Sequence, residues 1–98
     1  MLDMRQIADL ARGVGRHRFG ARSVKDVLTE PDLDSDGNDS VRITFVIGPG
    51  AARRLNGENI LNALMDIHRR LEESGDPRYA RVTYATPAEL AADVDPGP

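Results

Sequence analysis

Residues 41–47 read VRITFVI, and this stretch decides the architecture of the chain. Apolar residues alternate with polar ones along it, which is the period of a β-strand with one buried face. The segment Gly48-Pro49-Gly50 ends the strand, because proline has no N–H to donate to a sheet. The neighbouring segments are therefore expected to pack against the apolar face of this strand.

A long amphipathic helix follows the strand. Asn56 is a good N-cap, and Leu55 and Ile60 have the spacing of a hydrophobic staple. Ser74 and Gly75 provide a C-cap. The apolar residues recur on one helical face, which consists of Ile60, Leu61, Leu64, Ile67 and Leu71. The opposite face is predicted to carry the polar residues Glu58, Asn62, Asp66, Arg69, Arg70 and Glu73.

The chain before the strand predicts a helix and a hairpin. Asp3 and Gln6 form a capping box, and Gly13 and Gly15 are expected to end this first helix. The basic segment 16–20 is then expected to be a solvated loop, followed by a strand from about residue 22 to residue 33. The Asp-Gly pair at residues 36–37 supplies the positive φ angles of a tight hairpin turn.

Centring the turn on residues 36–37 sets the register of the hairpin. It places Leu28 opposite Phe45 and Thr29 opposite Thr44. After the long helix, alternation over residues 79–85 predicts a third strand. Residues 86–89, which read TPAE, then begin a short helical turn with a threonine cap and proline at its first position.

The elements predict an α+β two-layer sandwich in the order α-β-β-α-β with a short C-terminal helical turn. The three-stranded sheet should have its helices packed on one face. The third strand can lie beside the first, in the order 2-1-3, or it can pair parallel to the second. Residues 1–94 are expected to form a single domain and residues 95–98 a frayed tail.

Composition excludes several classes of function. The chain has 98 residues and a net charge of −3, and without cysteine it has neither disulfides nor thiolate chemistry. We find no apolar run long enough for a signal peptide or a membrane helix, so a cytoplasmic location is expected. Twelve arginines against one lysine, with many alanines and glycines, suggest a bacterial genome rich in G and C.

Three aspartates before the second strand resemble half of a calcium-binding loop. Asp32, Asp34 and Asp36 alternate and precede Gly37, which is the spacing that a loop of oxygen ligands needs. The twelfth position of such a loop is Ile43 here, where a bidentate glutamate is required. Whether the three aspartates bind a cation stays open, and we assign no metal-binding residue.

Charge is unevenly distributed along the chain. Residues 1–30 hold six basic and four acidic side chains, whereas the remainder holds seven basic and twelve acidic ones. Whether the arginines near the loops form one phosphate-binding patch stays open; they are Arg12, Arg16, Arg18, Arg22, Arg53 and Arg54. The glycine loop at residues 48–50 lacks the Gly-Lys-Ser/Thr ending of a Walker loop and the glycine spacing of a KH domain.

The sequence favours a non-enzymatic protein-interaction module of a bacterial cytoplasm, for which we assign no catalytic residue and no cofactor. The small partner of a two-gene system, antitoxin-like or a regulatory subunit, fits the size. Open sheet edges with Tyr79 and Tyr84 predict a homodimer or a cognate protein partner and no membrane association. The alternative is an RNA- or DNA-binding accessory protein that uses the arginine patch. A metal-dependent or small-molecule enzyme is the least favoured of the three.

Overall fold

The computed structural model describes residues 1–93, which form three helices and a three-stranded mixed sheet. In chain order the elements are α1 (Met4–Phe19), β1 (Val24–Leu33), β2 (Asp39–Ile47), a 3₁₀ turn (Ala51–Arg53), α2 (Gly57–Glu73), β3 (Tyr79–Ala85) and α3 (Pro87–Asp93). The predicted α+β architecture is confirmed. Val94 and the predicted tail at residues 95–98 lie outside the described residues.

Strand β2 occupies the middle of the sheet. It pairs antiparallel with β1 and parallel with β3, so the strand order is β1-β2-β3. Of the two placements that the sequence left open, β3 therefore takes the one beside the second strand. The helix α2 supplies the crossover that a parallel pair of strands requires.

The core lies between one face of the sheet and the helices α1 and α2. Val41, Ile43 and Phe45 of β2 are fully buried there. The ring centroids of Phe45 and Tyr84 are 5.5 Å apart in a stacked pair, and Phe19 meets the edge of Phe45 at 5.9 Å. A few aromatic rings at the end of an otherwise aliphatic core thus join α1 to two strands.

Helix α1 continues through the glycines that were predicted to end it. It runs to Phe19 and is closed by Gly20, which has a φ of 90° and donates its N–H to the Arg16 carbonyl at 3.0 Å. Gly15 is buried, and a Cβ at this position would lie 2.7 Å from Cε1 of Phe45. Glycine therefore allows α1 to approach the sheet closely, and the segment predicted as a basic loop is the last turn of a helix.

The predicted hairpin register is wrong by one residue. Leu28 faces Thr44 and not Phe45, while Thr29 faces Ile43 and not Thr44. A shift of one residue moves every side chain of a strand to the opposite face of the sheet. The hydroxyl of Thr29 accordingly points toward α1, where it donates to the carbonyl oxygen of Met4 at 2.8 Å.

The turn explains this register. The carbonyl of Asp34 accepts the N–H of Gly37 at 3.0 Å, and the N–H of Asp34 donates to the carbonyl of Asn38 at 2.9 Å. Gly37 has a φ of 81°. This is a three-residue loop closed by a glycine of positive φ, rather than the two-residue loop that Asp-Gly suggests.

Helix α2 has the predicted cap, since the side chain of Asn56 accepts the N–H of Asn59 at 2.8 Å. Its buried face is centred on Ala63 and Ile67, so the helix is rotated slightly from the predicted orientation. Leu64 is only half-buried. Asp66, predicted to lie on the polar face, is 6 % exposed, whereas Leu61, predicted to be part of the apolar stripe, is 56 % exposed.

Two glycines of α1 provide a matched test of this packing. We expect Gly15→Ala to lower the free energy of unfolding by roughly 1–3 kcal/mol, because the new methyl group collides with the ring of Phe45. Gly13→Ala meets no atom within 4 Å and should raise it by roughly 0.5–1 kcal/mol through helix propensity. Urea denaturation of both variants measures the difference, and equal effects would contradict the Gly15–Phe45 contact.

Candidate functional site

The hairpin aspartates that resemble a calcium loop are engaged within the hairpin. Oδ1 of Asp34 accepts the N–H groups of Asp36 at 2.9 Å and of Asn38 at 2.8 Å. Asp32 accepts the next backbone N–H and pairs with Arg42, and both interactions hold its pKa below the ordinary value. Among residues 1–93, no three carboxylate or imidazole groups lie close enough together to hold a metal ion.

Two of the six candidate arginines are paired with carboxylates. Arg18 of α1 donates to Asp66 of α2, with an Nε to Oδ2 distance of 2.6 Å, and this contact lowers the pKa of the Asp66 carboxyl. Arg12 lies 3.3 Å from Asp26 and 3.4 Å from Asp9. These two cations therefore join elements of the fold.

The other four candidate arginines lie at one end of the molecule. The end of α1, the start of β1 and the end of β2 meet there, and the N–H of Gly48 donates to the carbonyl of Ser23 at 3.0 Å. Lys25 lies against Gly48 at the same end. Within the described residues no ion pair involves the members of this basic end, which are Arg16, Arg22, Lys25, Arg53 and Arg54.

His68 occupies part of the sheet edge that was predicted to be open. Its Nε2 lies 3.1 Å from the carbonyl oxygen of Ala80 and 3.2 Å from the N–H nitrogen of the same residue. Its ring also contacts Tyr79, with the ring centroids 4.9 Å apart. An imidazole from α2 thus covers the outward backbone of β3 at Ala80, where Nε2 either accepts the N–H or donates to the carbonyl, depending on the tautomer. His17, in contrast, is exposed on the last turn of α1.

The edge of β1 is shaped differently. Its pairing with β2 shifts between Val24 and Asp26, which is a bulge, and it carries an exposed lysine and Pro31 along its length. Bulges, lysines and prolines are devices that prevent an edge strand from pairing with another chain. An edge-to-edge partner is therefore disfavoured on this side of the sheet.

An apolar strip lies on the solvent side of α2, next to β3. Leu61 is 56 % exposed and Met65 is 57 % exposed, and the half-buried Leu64 flanks them on the side of the core. Tyr79 of β3, 57 % exposed, extends this surface beyond His68. We use the term apolar strip for Leu61, Leu64, Met65 and Tyr79.

Sequence reasoning missed this strip because it assigned Leu61 to the core and left Met65 without a role. The spacing that reveals it is present in the sequence. Leu61, Met65 and His68 lie four and three residues apart, which is a second apolar line beside the buried one.

A groove of about 810 Å³ lies between α3 and the face of the sheet opposite α1 and α2. Arg42, at its floor, pairs with Glu30 at 3.1 Å and with Asp32 at 3.3 Å. The hydroxyls of Thr44 and Thr83 are 3.0 Å apart and hydrogen-bond to each other. Arg42 and the two threonines are thus satisfied by neighbouring groups, whereas the buried hydroxyl of Tyr84, which also lines the groove, has no hydrogen-bond partner among the described residues.

The most buried carboxylate of the described residues serves the fold. The side chain of Asp76 is fully buried and accepts hydrogen bonds from the N–H of Leu2 at 3.2 Å and from Arg78 Nε at 3.0 Å. A second guanidinium nitrogen of Arg78 lies 2.7 Å from the other oxygen. These donors lower the pKa of Asp76 to about 2.

This pKa predicts a loss of stability in acid. Because the pKa of Asp76 is lower in the folded state, its contribution is complete above about pH 4 and is lost as the pH falls toward 2. We expect Asp76→Asn to cost about 3–5 kcal/mol at neutral pH, since it leaves the Arg78 guanidinium unpaired, and to flatten the acid profile. Denaturation at a series of pH values tests both.

The control is Asp36→Asn, at an exposed position of the hairpin turn. It should change stability by less than about 0.5 kcal/mol and leave the acid profile unchanged. Equal profiles for wild type and Asp76→Asn would contradict the proposed role of this carboxylate.

None of the helices in residues 1–93 combines the length and the apolar character needed to cross a bilayer. The apolar strip, the basic end and the groove are the surfaces left to carry function. Comparison of the chain with protein-family models, with curated proteins and with solved structures gave no match. Function is therefore inferred from these surfaces alone.

Proposed function

We propose that this protein is a non-enzymatic interaction module that acts by binding another protein chain, either a second copy or a cognate partner. The apolar strip carries the proposal. Leu61, Met65 and Tyr79 are each more than half exposed and lie on neighbouring elements. Contiguous large apolar side chains on a surface mark sites of protein–protein contact, whereas single ones do not.

The ionisable groups with displaced pKa values support a binding role over a catalytic one. Asp32, Asp66 and Asp76 each have a lowered pKa, and each is paired with an arginine. Catalytic acids and bases instead tend to have pKa values brought toward neutrality. Burial raises the pKa of Tyr84 to about 12, so no displaced pKa among the described residues lies nearer to neutrality than its ordinary value.

The size of the chain and its composition suggest the cellular setting that we propose. A single small domain with one apolar surface suits the lesser component of a pair, such as an antitoxin-like protein or a regulatory subunit encoded beside its partner. The high ratio of arginine to lysine agrees with a bacterial source. We place its action in the cytoplasm as part of the same proposal.

The test is retention of a binding partner by variants of this protein. Wild type should retain one protein from a lysate of the source organism, or itself, and Leu61→Asp should abolish that binding because it places a charge in the apolar strip. The matched control is Leu33→Asp, since Leu33 is 63 % exposed on β1, the edge strand on the other side of the sheet from β3. Any retained protein is then purified and its binding measured again with both variants.

Equal binding by wild type and Leu61→Asp would remove the apolar strip from the proposal. A protein that neither self-associates nor retains a partner would contradict the interaction role as a whole.

The basic end supports a second candidate function, the binding of RNA or DNA. The four arginines and Lys25 lie at the end of α1, at the start of β1 and in the segments that follow α1 and β2, which meet in space. No carboxylate of the described residues forms an ion pair with them. Backbone phosphates are the natural partner of such a cluster. Contacts between cations and phosphates are sufficient for binding that does not depend on the base sequence. Arg12 and Arg18 fall outside it, because they are paired with carboxylates.

Salt dependence tests this candidate. If the four arginines each contact one phosphate of duplex DNA, log K should fall with log salt at a slope of about −3.6, and Arg53→Ala should reduce the slope by about 0.9. Fluorescence anisotropy with a labelled duplex measures the slope. Arg5→Ala, on the exposed first turn of α1, is the control and should leave it unchanged. No binding at low salt would eliminate this candidate.

A further inference from the structure

We propose that the occupant of the apolar strip is a second copy of this chain, which packs its own α2 antiparallel against it. The proposal rests on the interaction role above and names the partner. It follows from the spacing of residues along α2 and from the charges at the two ends of the strip.

The outer line of α2 has the spacing of a helix–helix seam. Its members are three and four residues apart in alternation, and they are Glu58, Leu61, Met65, His68 and Glu72. An alternation of three and four keeps one line of side chains facing a neighbouring helix. The centre of this line is apolar and both of its ends are charged. The charged ends limit the length of helix that can pack against a neighbouring helix.

A two-fold axis near Ala63 places unlike side chains opposite each other. In an antiparallel pair of this kind Leu61 faces Met65 of the second copy, and the same contact occurs twice because the interface is symmetric. Leu61 and Met65 are more than half exposed in the single chain. The half-buried Leu64 flanks both contacts from the side of the core.

Charge complementarity selects this arrangement over others. With Leu61 opposite Met65, the exposed Glu58 faces His68 of the second copy. A parallel pair would instead place each glutamate against the same glutamate of the second copy. Moving the axis two residues, to Met65, would place Glu58 against Glu72, and like charges in contact disfavour such a register.

His68 has a free atom for the contact with Glu58. Its Nε2 faces the backbone of Ala80, while Nδ1 has no hydrogen-bond partner among the described residues. When Nε2 accepts the N–H of Ala80, the ring proton is on Nδ1, which is then a donor. A carboxylate from the second copy is a suitable acceptor for this proton.

Sedimentation equilibrium over a concentration series tests the proposal. Wild type should dimerise, and Leu61→Asp should raise the dissociation constant by roughly 100-fold, because each dimer then contains two buried unpaired charges. Leu33→Asp is the control and should leave the constant unchanged. Circular dichroism should show the same fold in all three proteins, since both substituted positions are exposed.

Charge reversal tests the register. Glu58→Lys should weaken the dimer severalfold, because it replaces the acceptor of the Nδ1 proton of His68 in the second copy with a cation. Arg5→Glu is the matched control. A Glu58→Lys dimer as tight as wild type would overturn the register.

The outcomes separate this proposal from the interaction role. A dimer that is insensitive to Leu61→Asp overturns the α2 interface and leaves self-association standing. A strict monomer that binds a different protein through the apolar strip overturns the second copy as occupant, while the interaction role survives. A strict monomer that retains no partner overturns both.

Discussion

The carboxylate of Asp76 joins the start of the chain to the loop between α2 and β3. It accepts hydrogen bonds from the backbone of Leu2 and from the backbone and guanidinium of Arg78, which in turn donates to the carbonyl of Leu2 at 2.7 Å. A buried charge costs several kcal/mol unless every donor is in place. The start of the chain, just before α1, is therefore fixed against the loop before β3 by this group.

The other end of the helix pair is held by a second carboxylate. Arg18 of α1 reaches Asp66 of α2, which also accepts from Arg69 at 2.8 Å. Between these two ion pairs, the absence of a side chain at Gly15 lets Phe45 pack directly beneath α1. These contacts set the rotation of α2, so Ala63 and Ile67 turn inward while Leu61 and Met65 turn outward.

The apolar strip and the basic end thus both follow from ion pairs and packing between the elements of the fold. The rotation that buries Asp66 exposes the apolar strip, and the ion pairs that use Arg12 and Arg18 remove them from the basic end. One side of the molecule then presents apolar side chains, and another presents cations that have no ion pair within residues 1–93. A protein partner and a polyanion would accordingly bind at different places, without competing for the same residues.

Local pattern in the sequence determined the caps, the strands and the fold class. The capping boxes of α1 and α3 could be predicted because their hydrogen bonds join residues only three positions apart. The bounds of β3 could be predicted from the alternation of its residues. Tertiary structure decided the length of α1, the hairpin register and the burial of Asp66. A glycine costs about 1 kcal/mol within a helix, and a contact with Phe45, distant in sequence, outweighs that cost. No local pattern contains such a contact. The spacing of Leu61 and Met65 is present in the sequence, but that these side chains are exposed followed only from which side of α2 faces the core.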